Sequence, residues 1–197
     1  MKKIPTLFER EFRNHKVVSV MPDVTPGLEW VLNGEGIATI KYDGACCAIL
    51  NGKFYRRYDA KKGKQPPAGA IPCQHEPDPI TGHWPHWIEV KRDDPADKWF
   101  ISALDISIEA GAIDALENAT YEAIGKHFQG NPYKMSIDYL VKHGDDIIKD
   151  CPRSYLGISK FLLSHNIEGI VFWKDGEPRC KIKRSDFGFS WPIDNAI

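Results

Sequence analysis

The chain has 197 residues, 42% of them hydrophobic and 27% charged, with 26 Lys and Arg against 27 Asp and Glu for a formal net charge of −1. That is enough apolar material for one domain with a core, which excludes a disordered tail. The balanced charge excludes a global basic field, so any polynucleotide contact must be local. Five cysteines form an odd set without a C-x-x-C pair, and the adjacent Cys46 and Cys47 cannot easily bridge each other, which points to a reducing, cytoplasmic setting. Met1-Lys2-Lys3 opens like a secretion signal, but Glu9, Arg10 and Glu11 interrupt before an apolar core can form. No stretch is apolar for long enough to span a membrane as a helix.

In chain order, Gly36 to Ile40 reads as a short strand that delivers Lys41, and Asp43-Gly44 turns the chain into Ala45 to Leu50, an apolar run typical of a buried strand. Asn51-Gly52 suits a type I′ hairpin, because both central residues need positive φ, so Lys53 to Tyr58 returns antiparallel and carries Arg57 back along the strand. Arg56 to Lys64 is the densest basic stretch, with Arg56, Arg57, Lys61, Lys62 and Lys64 against a single acid, Asp59. A solvated hairpin end explains the same lysines equally well.

Residues 65 to 87 hold six of the fourteen prolines together with Trp84 and Trp87, and read as a long loop. Cys73, His75, His83 and His86 within it are metal-binding residue types, yet their spacing matches no standard zinc pattern. Lys98 to Leu116 has helical stretches, and Tyr121 to Ile124 reads as a strand carrying Glu122 inward. From Ser154, a plausible N-cap, Tyr155, Leu156, Ile158, Phe161, Leu162 and Leu163 recur at helical spacing until Asn166, just before Glu168.

Three short elements carry chemistry: Lys41-Tyr42-Asp43-Gly44, Glu168-Gly169 ahead of an apolar run, and Lys181-Ile182-Lys183. On a strand, Lys181 and Lys183 point to one side and Ile182 to the other, so two ammonium groups can meet one phosphate. Such cations beside Lys41 would disfavour its charged form and prepare it as a nucleophile. A carboxylate such as Glu168 next to an apolar strand needs a cation, either a divalent metal or a structural arginine. Asp43 shapes the turn after Lys41.

These elements, with Arg57-Tyr58-Asp59, Tyr121-Glu122-Ala123-Ile124-Gly125 leading to Gly130-Asn131-Pro132-Tyr133, and Phe187 to Pro192, resemble the small single-domain ATP-dependent RNA ligase family of the covalent nucleotidyltransferase superfamily. The resemblance runs from about residue 36 to the C-terminus. It implies an α+β fold, a ligase adenylation domain over residues 1–197 in which two mostly antiparallel sheets flank an ATP cleft. With fourteen residues after Lys183, no C-terminal OB-type domain is expected.

For the site, the resemblance implies Lys41 as the lysine that becomes adenylylated, Lys181 and Lys183 on the α-phosphate, and Glu168 on Mg²⁺ or Mn²⁺. Glu122 is matched to the ribose, and Arg57 to the nucleotide sugar or the incoming 5′-phosphate. Thr39 and the Ile40 backbone are matched to the adenine edge, with Tyr139 the candidate to stack on adenine. The implied partners are ATP and RNA bearing 5′-phosphate and 3′-hydroxyl ends, handled by a monomer. A DNA-strand ligase, another adenylyl transferase, or a nucleotide- or RNA-binding module without turnover stay open as alternatives.

Overall fold

The computed structural model describes residues 1–14 and 16–193. In chain order its strands are β1 (Phe8–Arg13), β2 (Lys16–Val24), β3 (Ile37–Lys41), β4 (Ala45–Leu50), β5 (Lys53–Ala60), β6 (Ile71–Pro72), β7 (Trp84–Glu89), β8 (Ala119–Gly125), β9 (Asp138–Lys142), β10 (Gly169–Lys174) and β11 (Glu177–Lys183). The helices are α1 (Glu29–Leu32), α2 (Lys98–Glu109) and α3 (Tyr155–Ser164). The class is α+β, with antiparallel sheets and few helices. Two compact units emerge: Met1–Lys3 with Asp43–His143, and Ile4–Tyr42 with the chain from Gly144 on.

The first unit is a six-stranded sheet in the order β6-β7-β5-β4-β8-β9. Strand alternation sorts its side chains. Cys47, Ile49, Phe54, Tyr121, Ala123 and Leu140 face one way and form a core with Ala103 and Leu104 of α2. Helix α2 is also tied to the sheet by a hydrogen bond of 2.8 Å from the Leu140 N–H to Ser107 Oγ. Cys46, Arg57, Glu122 and Tyr139 occupy the alternate positions and share the opposite face.

The region expected to be loop up to residue 87 ends in β7, and Trp84 to Trp87 pair with β5. A proline in this strand is tolerated because of where its backbone points. The Pro85 carbonyl accepts from the Cys73 N–H at 2.9 Å, so its missing N–H also faces the β6 side, an edge only two residues long. Within the stretch that reads as helical, α2 runs from Lys98 to Glu109, and Gly111 follows with φ of +67° and closes the last turn.

The second unit is built on the sheet β11-β10-β3, with the β1-β2 hairpin, α1 and α3. Ile170, Phe172, Cys180, Ile182 and Ala38 face the core, where they meet Leu7, Phe8, Val31, Ile158 and Leu162. Ser154 Oγ caps α3 by accepting from the Gly157 N–H at 3.2 Å, as its sequence suggests. Both sheet edges are covered. Lys181 exchanges backbone hydrogen bonds with Pro5 and Leu7 at 3.0 and 2.8 Å, and Ile40 and Ala38 bond to Asp146 and Ile148 at 2.9 and 2.8 Å. The buried Arg184 then fastens α3 to the segment after β11 by donating to the carbonyls of Leu162, His165 and Ser190.

Gly169 opens β10 where the strands approach most closely. A Cβ there would lie 2.3 Å from the Ile182 carbonyl oxygen and 2.9 Å from Lys183 Cα. Both obstacles are backbone and cannot swing aside. Gly169→Ala is therefore expected to push β10 from β11 and destabilise the chain by about 1–3 kcal/mol, read as a lower urea midpoint at unchanged m-value. An unchanged midpoint would show that the strands part without cost.

Candidate functional site

The three-stranded sheet turns its second face away from the core, and the register places the chemistry there. Lys41, Gly169 and Lys183 lie side by side across β3, β10 and β11, and the next row on that face is Thr39, Val171 and Lys181. Gly169 puts no side chain between the two lysines. Glu168, immediately before it, fills that position with its carboxylate: Oε2 is 2.5 Å from Lys41 Nζ and Oε1 is 4.0 Å from Lys183 Nζ. Glu168 is 8% exposed, so a bare carboxylate would be costly there and the lysines offset that cost.

The backbone around this ion pair is tightly specified. The Glu168 carbonyl accepts from the Arg184 N–H at 2.8 Å, and the Lys183 N–H donates to Asp186 Oδ2 at 2.8 Å. Lys41 Nζ also reaches the Tyr42 carbonyl at 3.3 Å, and the Tyr42 hydroxyl donates to Asp146 Oδ2 at 2.9 Å. Burial first, then the bond to Asp146, pushes the Tyr42 phenol well above its ordinary value, so it stays a neutral donor beside Lys41.

Thr39 is 1% exposed; its hydroxyl accepts from Trp173 Nε1 at 2.9 Å and lies 3.5 Å from the Val171 carbonyl. The Ile40 N–H is spent on Asp146. Both residues named for adenine recognition are thus built into the sheet, and Trp173 emerges as the aromatic that covers Thr39. Gly144 packs on the same indole, where a Cβ would sit 3.4 Å from Trp173 Cζ2. Nothing in the spacing of Trp173 along the chain announces that contact.

In the first unit the other named residues share one sheet face. Glu122 Oε1 accepts from the Gly44 N–H at 3.1 Å, and Glu122 Oε2 is 2.9 Å from His143 Nε2. His143 Nδ1 is in turn 3.0 Å from Thr120 Oγ1. A Cβ on Gly44 would meet the Ala123 carbonyl oxygen at 2.2 Å, so only glycine brings that amide to the carboxylate. The Asp43 N–H donates to the Tyr133 hydroxyl at 2.6 Å, fixing the turn it was expected to shape.

Arg57 is held by Asp59 of its own strand at 3.0 Å, and Tyr139 stands opposite Ile124 on the Glu122 face. Cys46, to which the sequence gives no role in the site, lies directly across from Glu122 in the β4–β8 register. Burial, with the Glu122 carboxylate next, pushes its thiol up to about 12. His143 is a further residue the sequence reading passed over, since a lone histidine at a strand end gives no signal until Glu122 is seen beside it.

The basic stretch after the hairpin divides in the structure. Arg56 points to the core side and bonds Asp97 Oδ1 at 2.8 Å, where Asp97 is buried and also accepts from the Lys91 N–H. Lys61, Lys62 and Lys64 are exposed. All five cysteines are free thiols. Among the described residues no helix is long and apolar enough to cross a membrane.

The family described as RNA ligase 1 matches residues 104–197, a span containing Glu122, Tyr139, Glu168, Lys181 and Lys183. RNA ligase 1 of Rattus norvegicus and of Mus musculus are each 24% identical to this chain over 98% of its length and 82% of theirs. RNA ligase 1 of Pongo abelii is 24% identical over 80% of this chain and 69% of its own. The chain is thus similar to the RNA ligase 1 family over residues 104–197 and to the two rodent RNA ligases along nearly its entire sequence.

Proposed function

We propose that the chain is an ATP-dependent RNA ligase with a nucleotidyltransferase fold, joining 5′-phosphate and 3′-hydroxyl RNA ends through a lysyl-AMP intermediate. The observation that carries this reading is the Lys41–Glu168–Lys183 cluster on one sheet face, at 2.5 and 4.0 Å, in a chain similar to RNA ligases.

In the first step Lys41 Nζ attacks the α-phosphorus of ATP. A nitrogen–phosphorus bond forms, the bond to the bridging oxygen breaks, and pyrophosphate leaves with the electron pair. A lysine held by a carboxylate is an ammonium and has no lone pair to give. Glu168 therefore has to let go of Lys41 before attack, and the amine then releases its proton. Lys183 and Lys181, flanking Val171 and Gly169 on the same face, neutralise the charge gathering on the phosphate oxygens. A 5′-phosphate oxygen next displaces Lys41 from the AMP phosphorus. The 3′-hydroxyl of a second end finally attacks the 5′-phosphorus, forming the phosphodiester and expelling AMP.

The donor set fits a hard divalent cation, Mg²⁺ or Mn²⁺: Glu168 offers carboxylate oxygens in a buried setting, and one or two carboxylates with substrate phosphates suffice for such an ion. Bound there, the ion would neutralise phosphate charge and take the carboxylate from Lys41. Glu122, its oxygens oriented by Gly44 and His143, is assigned to the ribose. Arg57 is assigned to the sugar or the incoming 5′-phosphate, and Tyr139 to the adenine face. Thr39 and Ile40 act by shaping the strand under the base.

Incubation with α-labelled ATP and Mg²⁺, followed by a denaturing gel, tests the reading. Wild type is expected to retain label and Lys41→Ala to lose it; label persisting in Lys41→Ala would refute the nucleophile assignment. Glu168→Gln should remain folded, with a cooperative melting transition, while labelling falls by about 100-fold, the cost of losing one charged catalytic group. Near-normal labelling in that variant would make Glu168 structural. Joining of 5′-phosphorylated RNA but not of DNA ends separates RNA ligation from the alternatives.

Polynucleotide contact is assigned to Lys61, Lys62 and Lys64, the exposed part of the basic stretch. Neutralising all three should flatten the salt dependence of single-stranded RNA binding by about 2 units of log–log slope, at roughly 0.7 per phosphate contact. Label on Lys41 should persist. An unchanged slope would move the RNA surface elsewhere.

A further inference from the structure

Cys46, Glu122 and His143 form a ligand set of a different chemistry from that around Glu168. Their donor atoms all lie within 4.8 Å of one another, and each of the three residues is half-buried. Among the described residues these three gather in this way, whereas Cys73, His75, His83 and His86 do not. Ligands bound at 2.0–2.3 Å in a tetrahedron stand roughly 3.3–3.8 Å apart, a spacing inside the 4.8 Å that encloses the three donor atoms. We infer that Cys46, Glu122 and His143 are a binding site for a zinc-type divalent cation, with the fourth position left to water.

The ligands are held in place. Cys46 and Glu122 are directly opposed on β4 and β8, so sheet pairing fixes their spacing. His143 follows β9, and its N–H donates to the Thr120 carbonyl at 3.0 Å, which pins the third ligand to the same sheet. Each of the other two is oriented from behind, as metal ligands are: Glu122 Oε1 by the Gly44 N–H at 3.1 Å, and His143 Nδ1 by the Thr120 hydroxyl at 3.0 Å. With Nε2 on a metal, Nδ1 carries the proton and donates to that hydroxyl. Arg57, the next side chain along this face, has its charge answered by Asp59 at 3.0 Å.

Thiolate and imidazole select zinc over magnesium, which takes oxygen ligands and keeps its waters. As the metal–sulfur bond forms, the Cys46 thiol gives its proton to solvent. One consequence rests on the proposed function: Glu122 cannot hold a metal and a ribose hydroxyl together, so zinc here inhibits formation of lysyl-AMP.

Cobalt(II) added to the whole chain tests the site directly. One equivalent should produce thiolate-to-cobalt charge-transfer absorption that zinc displaces. The absorption should survive Cys73→Ser and disappear in Cys46→Ser, and His143→Gln should weaken cobalt binding at least tenfold. No such absorption in the wild-type chain, or its persistence in a folded Cys46→Ser, overturns the site. Labelling from ATP is then compared with and without zinc, each protein against its own zinc-free level. A tenfold loss in wild type with a much smaller loss in Cys46→Ser is expected. Equal losses in both overturn inhibition through this site, while no zinc-free labelling at all would refute the ligase reading and leave cobalt absorption to decide the metal site.

Discussion

The Glu168 carboxylate, set between Lys41 and Lys183 at 2.5 and 4.0 Å, is the interaction on which the second unit is organised. Lys41, Glu168 and Lys183 together carry one positive charge, and the carboxylate separates two ammonium groups that would otherwise repel. Under the proposed function the same arrangement restrains the chemistry, because the contact with Glu168 occupies the Lys41 nitrogen that has to reach phosphorus. A group that competes for Glu168 thereby acts on Lys41 as well. A divalent ion held by Glu168 would supply charge for phosphoryl transfer, and Lys41 is the side chain that would give up that carboxylate.

Two glycines make such close placement possible. Gly169 lets β10 approach β11 until the Ile182 carbonyl occupies the space of an absent Cβ, and Gly44 does the same against the Ala123 carbonyl. In each case a charged side chain is the beneficiary: Glu168 reaches both lysines, and Glu122 receives the Gly44 amide. A motif read as residue types is here a statement about backbone distance. The glycine after an acid or before a strand matters because a methyl group would stand where a neighbouring carbonyl already is.

Much of this was legible in the sequence where chemistry and period agree. The K-x-D-G turn, the Lys181/Lys183 alternation, the Asn51-Gly52 hairpin and the capped helix after Ser154 each have a local cause, and each appears in the fold. What was not legible depends on register between distant strands. No local pattern says that Glu168 touches Lys41, 127 residues away, that Trp173 covers the Thr39 hydroxyl, or that His143 orients Glu122. Trp84 to Trp87 was read as loop because proline dominates its neighbourhood, and only the short edge at β6 explains why Pro85 is tolerated. Arg56 and Arg57, equal in a charge count, point to opposite faces and meet different acids.

The two carboxylates central to the chain differ in company, and the company sets what each can bind. Glu168 has the Lys41 and Lys183 side chains beside it, and a hard ion held there would complete its shell with waters or phosphate oxygens. Glu122 has a thiol across the sheet and an imidazole at 2.9 Å, so a cation there can complete its shell from protein and favours a soft one. Neither preference comes from the glutamate itself. Under the two proposals selectivity is set by neighbouring donors, the Cys46 thiol and His143 imidazole at one site and substrate phosphates and water at the other.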